Sequence, residues 1–112
     1  MSLEQFFEEE DDPMVNAVQT LSEKIRQRRM QMLIHSYIYY VLDDSIVDDH
    51  KWQEWADELV LLQTQKKKIG FYDKAFADWD ASTGYHLPKE GWMHYRAKRL
   101  LEYNYQLTNE SQ

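Results

Sequence analysis

The chain contains no cysteine, and its 112 residues include only three glycines and two prolines. The absence of cysteine excludes disulfides, thiolate nucleophiles and cysteine-ligated zinc. The scarcity of glycine and proline disfavours a many-stranded sandwich or barrel, because such folds need frequent turns. Apolar runs extend for only a few residues, too few to cross a membrane, and no charged-then-apolar leader opens the chain. We therefore expect an all-α, cytoplasmic protein.

The apolar content is sufficient for one folded domain, because 43% of the residues are hydrophobic and 14% are aromatic. The net charge of −7 is unevenly distributed: residues 1–12 carry six acidic residues and no basic one. We predict an acidic flexible arm over residues 1–11, one helical domain over 12–107 and a frayed tail over 108–112.

A long helical hairpin is the main predicted element. Asp12 and Pro13 are typical of a helix start, and apolar residues at helical spacing then favour one helix over residues 13–42. The aspartate-rich stretch that follows predicts a tight turn, after which Asp48 or Asp49 caps a second helix. The short connection indicates that the two helices are antiparallel.

Two further helices are predicted after the hairpin. We expect the second helix to end at lysines 66–68 and Gly70, which suit a helix C-terminus. Aromatic spacing predicts a short third helix, and Pro88 is expected to open a fourth that runs to about residue 106. The aromatic residues of the short helix are Tyr72, Phe76 and Trp79, and the expected buried residues of the fourth are Trp92, Tyr95, Leu100 and Tyr103.

The most distinctive stretch surrounds the hairpin turn, where Tyr39 and Tyr40 precede the turn and Asp49 and Trp52 follow it. Over residues 20–65 this pattern resembles the N-terminal Ia domain of bacterial NAD-dependent DNA ligases. In that family a helical hairpin holds the nicotinamide mononucleotide half of NAD as the leaving group of an adenylyl transfer. The resemblance implies aromatic rings that stack on the nicotinamide and carboxylates that accept hydrogen bonds from the ribose.

The family pattern is only partly retained. Tyr39 and Asp49 match it, Tyr40 stands where a histidine is common, and Trp52 replaces a tyrosine. Gln53 replaces an aspartate, so a carboxylate acceptor is lost. A ribose hydroxyl left unpaired costs about 1–3 kcal/mol. The resemblance therefore implies that the cofactor-binding residues are Tyr39, Tyr40, Asp49 and Trp52, and that binding of NAD or nicotinamide mononucleotide is weakened or lost.

The chain lacks the residues that carry out NAD-dependent ligation. The family's adenylated lysine lies in a Lys-x-Asp-Gly motif, and no such tetrapeptide occurs here. The resemblance implies a non-catalytic, stand-alone module, similar to small proteins of phages and prophages. It would bind a nicotinamide nucleotide weakly or dock on a DNA ligase or replication partner. The alternative is a structural or interaction protein without a ligand site, which forms a homo-oligomer or docks on a phage or replication protein.

Other catalytic and metal-binding patterns are missing. The four histidines form neither His-x-x-x-His nor His-Glu-x-x-His, and no P-loop, Gly-x-Gly-x-x-Gly or Gly-x-Ser-x-Gly motif occurs. We predict no catalytic residue and no metal site.

A basic cluster lies on the predicted fourth helix, where Arg96, Lys98 and Arg99 have Tyr95 and Tyr103 nearby. Such a pattern is either a solvated helix face or a surface that contacts phosphates and stacks a base. A second basic cluster consists of Lys24, Arg26, Arg28 and Arg29. The acidic arm would compete with nucleic acid for both clusters as an intramolecular partner. The negative net charge argues against direct nucleic-acid binding.

Overall fold

The computed structural model describes residues 19–110, with side chains through Thr108. Three helices are present in this part of the chain: α1, Leu21–Tyr40; α2, Asp49–Gln63; and α3, Gly91–Glu110. No strand occurs among the described residues, which confirms the all-α expectation for them. None of the three helices is both long enough and apolar enough to cross a membrane.

The start of α1 is set by a capping box at Thr20. The Thr20 hydroxyl accepts the backbone N–H of Glu23 at 3.2 Å, and the Glu23 carboxylate accepts the Thr20 N–H at 3.4 Å. These reciprocal bonds satisfy N–H groups that a helix start leaves unpaired. The prediction of one helix over residues 13–42 is therefore wrong at its beginning. The predicted start signal at residues 12 and 13 lies outside the described residues.

The start of α2 was predicted more closely than its end. Asp48 is the cap, and its carboxylate accepts the backbone N–H of Lys51 at 2.7 Å. The helix ends at Gln63 with Thr64 as its C-terminal cap, so lysines 66–68 lie beyond it rather than in its last turn. Gly70 does adopt a left-handed conformation, with φ of +81°, but in the loop that follows and not at the helix end.

The central element of the fold is α1. Arg28 bonds Glu58 and His35 packs on Trp55, so early residues of α1 meet late residues of α2 and the hairpin is antiparallel, as predicted. Every residue over 31–38 is buried, because α2 and α3 both pack on this helix. A helix buried all round has no single apolar stripe, which explains why polar residues lie within its core segment.

The predicted short third helix is not formed, and the segment around Tyr72 makes successive turns instead. Tyr72 has a φ of +54°, which an α-helix does not contain. The Asp73 carboxylate accepts the backbone N–H groups of Ile69 and Gly70 at 2.9 and 3.0 Å, which holds the chain in this turn. Phe76 is nevertheless fully buried, so the aromatic spacing identified a core residue but not a helix.

The last helix begins later and ends later than predicted. Pro88 precedes α3 instead of opening it, and the carbonyl of Glu90 accepts the first backbone bonds, from Met93 and His94. The helix continues to Glu110, past the predicted end near residue 106 and into the predicted tail.

The buried face of α3 is also different from the predicted one. Met93, Ala97 and Leu100 enter the core at i, i+4, i+7 spacing. Leu100 was predicted correctly, but Trp92 and Tyr95 are 38% and 68% exposed. Ala97 is fully buried in this face, where a tyrosine would need much more space between α3 and the core. Packing therefore selects the less aromatic of the two stripes on this helix.

Candidate functional site

A pocket lies at the end of the hairpin where α1 ends and α2 begins. It encloses about 200 Å³. Its walls are the last turns of α1, residues 45–47, the first turns of α2 and residues 82–84. The antiparallel hairpin brings the first three walls together, and the loop before α3 supplies the fourth.

All four residues predicted from the resemblance line this one pocket: Tyr39, Tyr40, Asp49 and Trp52. Gln53, where the family pattern has an aspartate, does not line it. The Gln53 amide donates to Asp57 Oδ1 at 2.9 Å and to the Ala81 carbonyl at 3.1 Å. The Gln53 side chain is therefore held by these bonds, and the loss of the family's aspartate at this position does not alter the lining of the pocket.

Tyrosine rings in edge-to-face contact form the α1 side of the pocket. The Tyr40 ring makes edge contacts with Tyr39 and Tyr85, with centroid separations of 4.8 and 5.3 Å. The Tyr40 hydroxyl shares a 3.0 Å hydrogen bond with Thr83 Oγ1, which fixes the ring plane. Lys89 Nζ lies 5.9 Å from the Tyr40 ring centroid and donates to the Tyr85 and Leu87 carbonyls at 2.8 and 3.2 Å, but Lys89 does not line the pocket.

Trp52 and Asp49 form the α2 side. The Trp52 ring packs edge-on against Trp79, with 6.1 Å between centroids. Asp48, not Asp49, caps the helix, so the Asp49 carboxylate is not used in capping. The pocket therefore pairs an indole surface with a carboxylate in one turn of helix.

Two polar residues of α1 close the buried end of the pocket. Ser36 is 5% exposed, and its Oγ has no hydrogen-bond partner among the described residues. Burial lowers the pKa of His35 to about 4, so its imidazole is neutral at neutral pH. A buried hydroxyl without a partner carries a free-energy cost that a polar atom of a ligand or a water would remove.

The sequence did not predict that five small residues line this pocket: Ser36, Ser45, Ser82, Thr83 and Gly84. Residues 82–84 have a small, polar composition, but this composition is typical of any loop and does not indicate a pocket. The contact between Gly84 and Ser36 joins residues that are distant in sequence, so no local pattern predicts it.

Gly84 is required where it lies because α1 passes directly beneath it. A Cβ atom added at Gly84 would stand 2.0 Å from Ser36 Oγ and 2.8 Å from Ser36 Cβ. We expect Gly84→Ala to lower the free energy of unfolding by about 1–3 kcal/mol. Denaturant titration checks this. Gly91→Ala is the matched control, since nothing lies within 4 Å of its added Cβ and stability should hold or rise. Equal losses in both variants would contradict the packing.

Acidic residues are dense around the turn, but the structure uses them locally. Asp44 Oδ1 accepts the backbone N–H of Ser45 at 2.7 Å, and Asp48 caps α2. Among the described residues, no group of three or more histidine, aspartate or glutamate side chains is placed to hold a metal ion.

The chain has no significant match among protein families, curated proteins or solved structures. The resemblance to the ligase Ia domain therefore rests on the residues of the hairpin.

Proposed function

We propose that the pocket at the hairpin end binds the nicotinamide mononucleotide part of a nicotinamide nucleotide, weakly and without catalysis. One observation carries the proposal: the four residues that the resemblance selects, Tyr39, Tyr40, Asp49 and Trp52, line a single pocket. They come from two helices, and the hairpin turn between them brings the end of α1 and the start of α2 together.

The chemistry of the lining suits a cationic ring attached to a sugar. The nicotinamide ring of the oxidised nucleotide is a pyridinium cation, which the face of the Trp52 indole attracts. The Asp49 carboxylate adds a negative charge and accepts hydrogen bonds from ribose hydroxyls. Lys89 does not line the pocket and donates to the Tyr85 and Leu87 carbonyls, so the lining recognises a ligand through aromatic and acidic groups.

The size and the buried end of the pocket fit the smaller half of the cofactor. A cavity of about 200 Å³ is below the ~300–1,000 Å³ typical of drug-sized ligands, so it holds a ring with its sugar rather than a dinucleotide. Ser36 and Gly84 close the buried end, which limits how deeply a ligand enters. With few polar contacts available, binding in the upper micromolar to millimolar range is expected.

A titration of isotope-labelled protein with nicotinamide mononucleotide, followed by NAD, tests this proposal by NMR. We expect shifts confined to residues of the pocket, including the Trp52 indole. Asp49→Asn keeps one acceptor oxygen but loses the charge, so it should weaken binding by about five- to tenfold, or about 1–1.4 kcal/mol, because a charge-assisted hydrogen bond is about twice as strong as a neutral one. Asp57→Asn is the matched control, because Asp57 is an exposed carboxylate on α2 outside the pocket.

Adenosine monophosphate distinguishes a nicotinamide site from a general nucleotide site, because its base carries no positive charge. Equal shifts with both nucleotides would contradict nicotinamide recognition. An absence of shifts at millimolar nicotinamide mononucleotide would end the proposal. Equal weakening by Asp57→Asn and Asp49→Asn would show that the carboxylate acts through overall charge.

Docking on a DNA ligase or replication partner is the second candidate, and the exposed tyrosines favour it. Tyr39 and Tyr85 are each 58% exposed, and both make edge-to-face contacts with the Tyr40 ring. Rigid, exposed aromatic side chains are frequent energetic centres of protein interfaces. Binding of the purified chain to an NAD-dependent ligase, lost in Tyr85→Ala and retained with saturating nicotinamide mononucleotide, would favour this function. Light scattering would identify a homo-oligomer formed through the same surface.

A further inference from the structure

A second groove lies on the outer face of α3, away from the hairpin pocket. Its volume is about 490 Å³, its floor includes Leu100, and its walls include Trp92 and Tyr95. Arg96 and Arg99 contribute two guanidinium groups to the same groove. Trp92 is held in place because its indole N–H donates to the Tyr72 hydroxyl at 2.8 Å.

The groove combines apolar surface with positive charge. Partly buried Tyr103 extends the aromatic wall one helical turn beyond Arg99, and Glu102 is the one acidic residue in the lining. Burial and the neighbouring charge of Arg99 lower the pKa of Arg96, so the two cations repel each other. A ligand that carries both aromatic rings and carboxylates would contact the exposed aromatic side chains and place negative charge beside the two guanidinium groups.

We propose that the acidic segment at the start of this chain, residues 4–12, binds the α3 groove of the same molecule. This segment contains Phe6 and Phe7 followed directly by five acidic residues, Glu8 to Asp12. The phenylalanines supply rings for the apolar floor, and the acidic run supplies carboxylates for the two arginines. The segment has no basic residue that would oppose them.

The covalent connection is long enough for this contact. The described part of the chain begins at Gln19, so Phe6 is thirteen residues from it. Thirteen residues span up to about 45 Å when extended, at about 3.3–3.6 Å per residue. The longest dimension of the described structure is 44 Å. A tethered segment also has an effective concentration in about the millimolar range, so modest affinity is sufficient for occupancy.

Single-stranded nucleic acid is the competing occupant, because arginines with aromatic rings also bind such strands. Residues 1–12 carry −6 of the chain's net charge of −7, so the segment itself opposes the approach of a polyanion. As part of the same molecule, the segment also competes for the two arginines at an effective concentration in about the millimolar range. We therefore assign the groove to the segment.

A single spin label tests the assignment, because the chain has no cysteine and Gln5→Cys creates a unique attachment site. We expect the label to broaden the Trp92 indole resonance and the backbone amides of residues 92–103. Arg99→Glu should remove most of this broadening. Lys98→Glu is the matched control: it is exposed on the same helix, makes the same charge change and does not line the groove. Circular dichroism verifies that both variants remain helical.

Three results would overturn the proposal. The first is broadening that is absent from α3 or equal in the Arg99 and Lys98 variants. The second is broadening that appears only between molecules, in a mixture of spin-labelled unenriched chains and unlabelled isotope-enriched chains, because a second copy would then be the occupant. The third is an equal affinity of an oligothymidylate for the unmodified chain and for a variant in which Glu8 to Asp12 are neutralised, because a bound segment should compete with the oligonucleotide. About 1 M salt, where the Debye length is about 3 Å, should weaken the expected contact.

Discussion

Replacement of Arg29 by methionine is expected to lower the free energy of unfolding by about 3–5 kcal/mol. Arg29 is completely buried, and its guanidinium donates to Gln63 Oε1, Asp73 Oδ1 and the carbonyls of Phe71 and Lys67, at 2.7–2.8 Å. Methionine has a similar length but no donor. Four acceptors would lose their partner, and the Asp73 carboxylate would lose its cation.

Urea denaturation followed by circular dichroism measures this loss. Arg26→Met is the matched control, because Arg26 is exposed on the same helix and its guanidinium lies 4.2 Å from the Phe71 ring centroid. A cation–π contact at an exposed site contributes about 0.5–1 kcal/mol, so the control should lose no more than that. Similar losses in the two variants would contradict the central role of the buried arginine.

Acid is expected to destabilise the fold through His35 between pH 6.5 and pH 4. Burial lowers the pKa of His35 from 6.5 to about 4 in the folded protein. Between these values the unfolded chain binds a proton that the folded chain does not, so the free energy of unfolding falls as the pH is lowered. The full effect is about 3 kcal/mol, since one pKa unit corresponds to about 1.36 kcal/mol.

Stability measured against pH in His35→Gln checks this effect, because glutamine does not titrate. The variant should lose most of the pH dependence between pH 6.5 and 4. His50→Gln should keep it, since the His50 side chain is 88% exposed. Asp73 contributes in a separate range: backbone N–H groups and Arg29 lower its pKa from 3.8 to about 2, so its contribution is lost only below pH 3.8. A steep acid dependence in His35→Gln between pH 6.5 and 4 would contradict the assignment to His35.

Some residues of the candidate site could be predicted from the sequence pattern, and others could not. Tyr39, Tyr40, Asp49 and Trp52 were selected from a resemblance at the hairpin turn, and an antiparallel hairpin necessarily brings its two ends together. Ser36 and Gly84 were not selected. Their contact depends on how the loop before α3 crosses α1, which is a long-range feature with no local signal.

The errors in the helices have a common physical origin. Apolar residues at helical spacing also occur before Thr20, and this pattern predicted a helix start at residue 13. The capping bonds of Thr20 start α1 at Leu21 instead. The aromatic spacing around Tyr72 indicated a helix, but Asp73 and Arg29 hold a turn instead. In both places, specific side-chain bonds outweigh a periodic pattern that has only a weak intrinsic preference.

The sequence by itself determined the helical class, the hairpin turn and a cap at Asp48 or Asp49, because these depend on composition and on bonds between residues close in sequence. The structure assigns the cap to Asp48. Only the tertiary structure decided which face of α3 is buried, that α1 is buried all round over residues 31–38, and that a buried arginine joins both hairpin helices to the loop. These features arise from shape and from hydrogen bonds between distant residues. Apolar periodicity predicts neither the shape of the core nor these long-range hydrogen bonds. Two stripes of similar hydrophobicity on one helix differ in how closely they let a neighbouring helix approach.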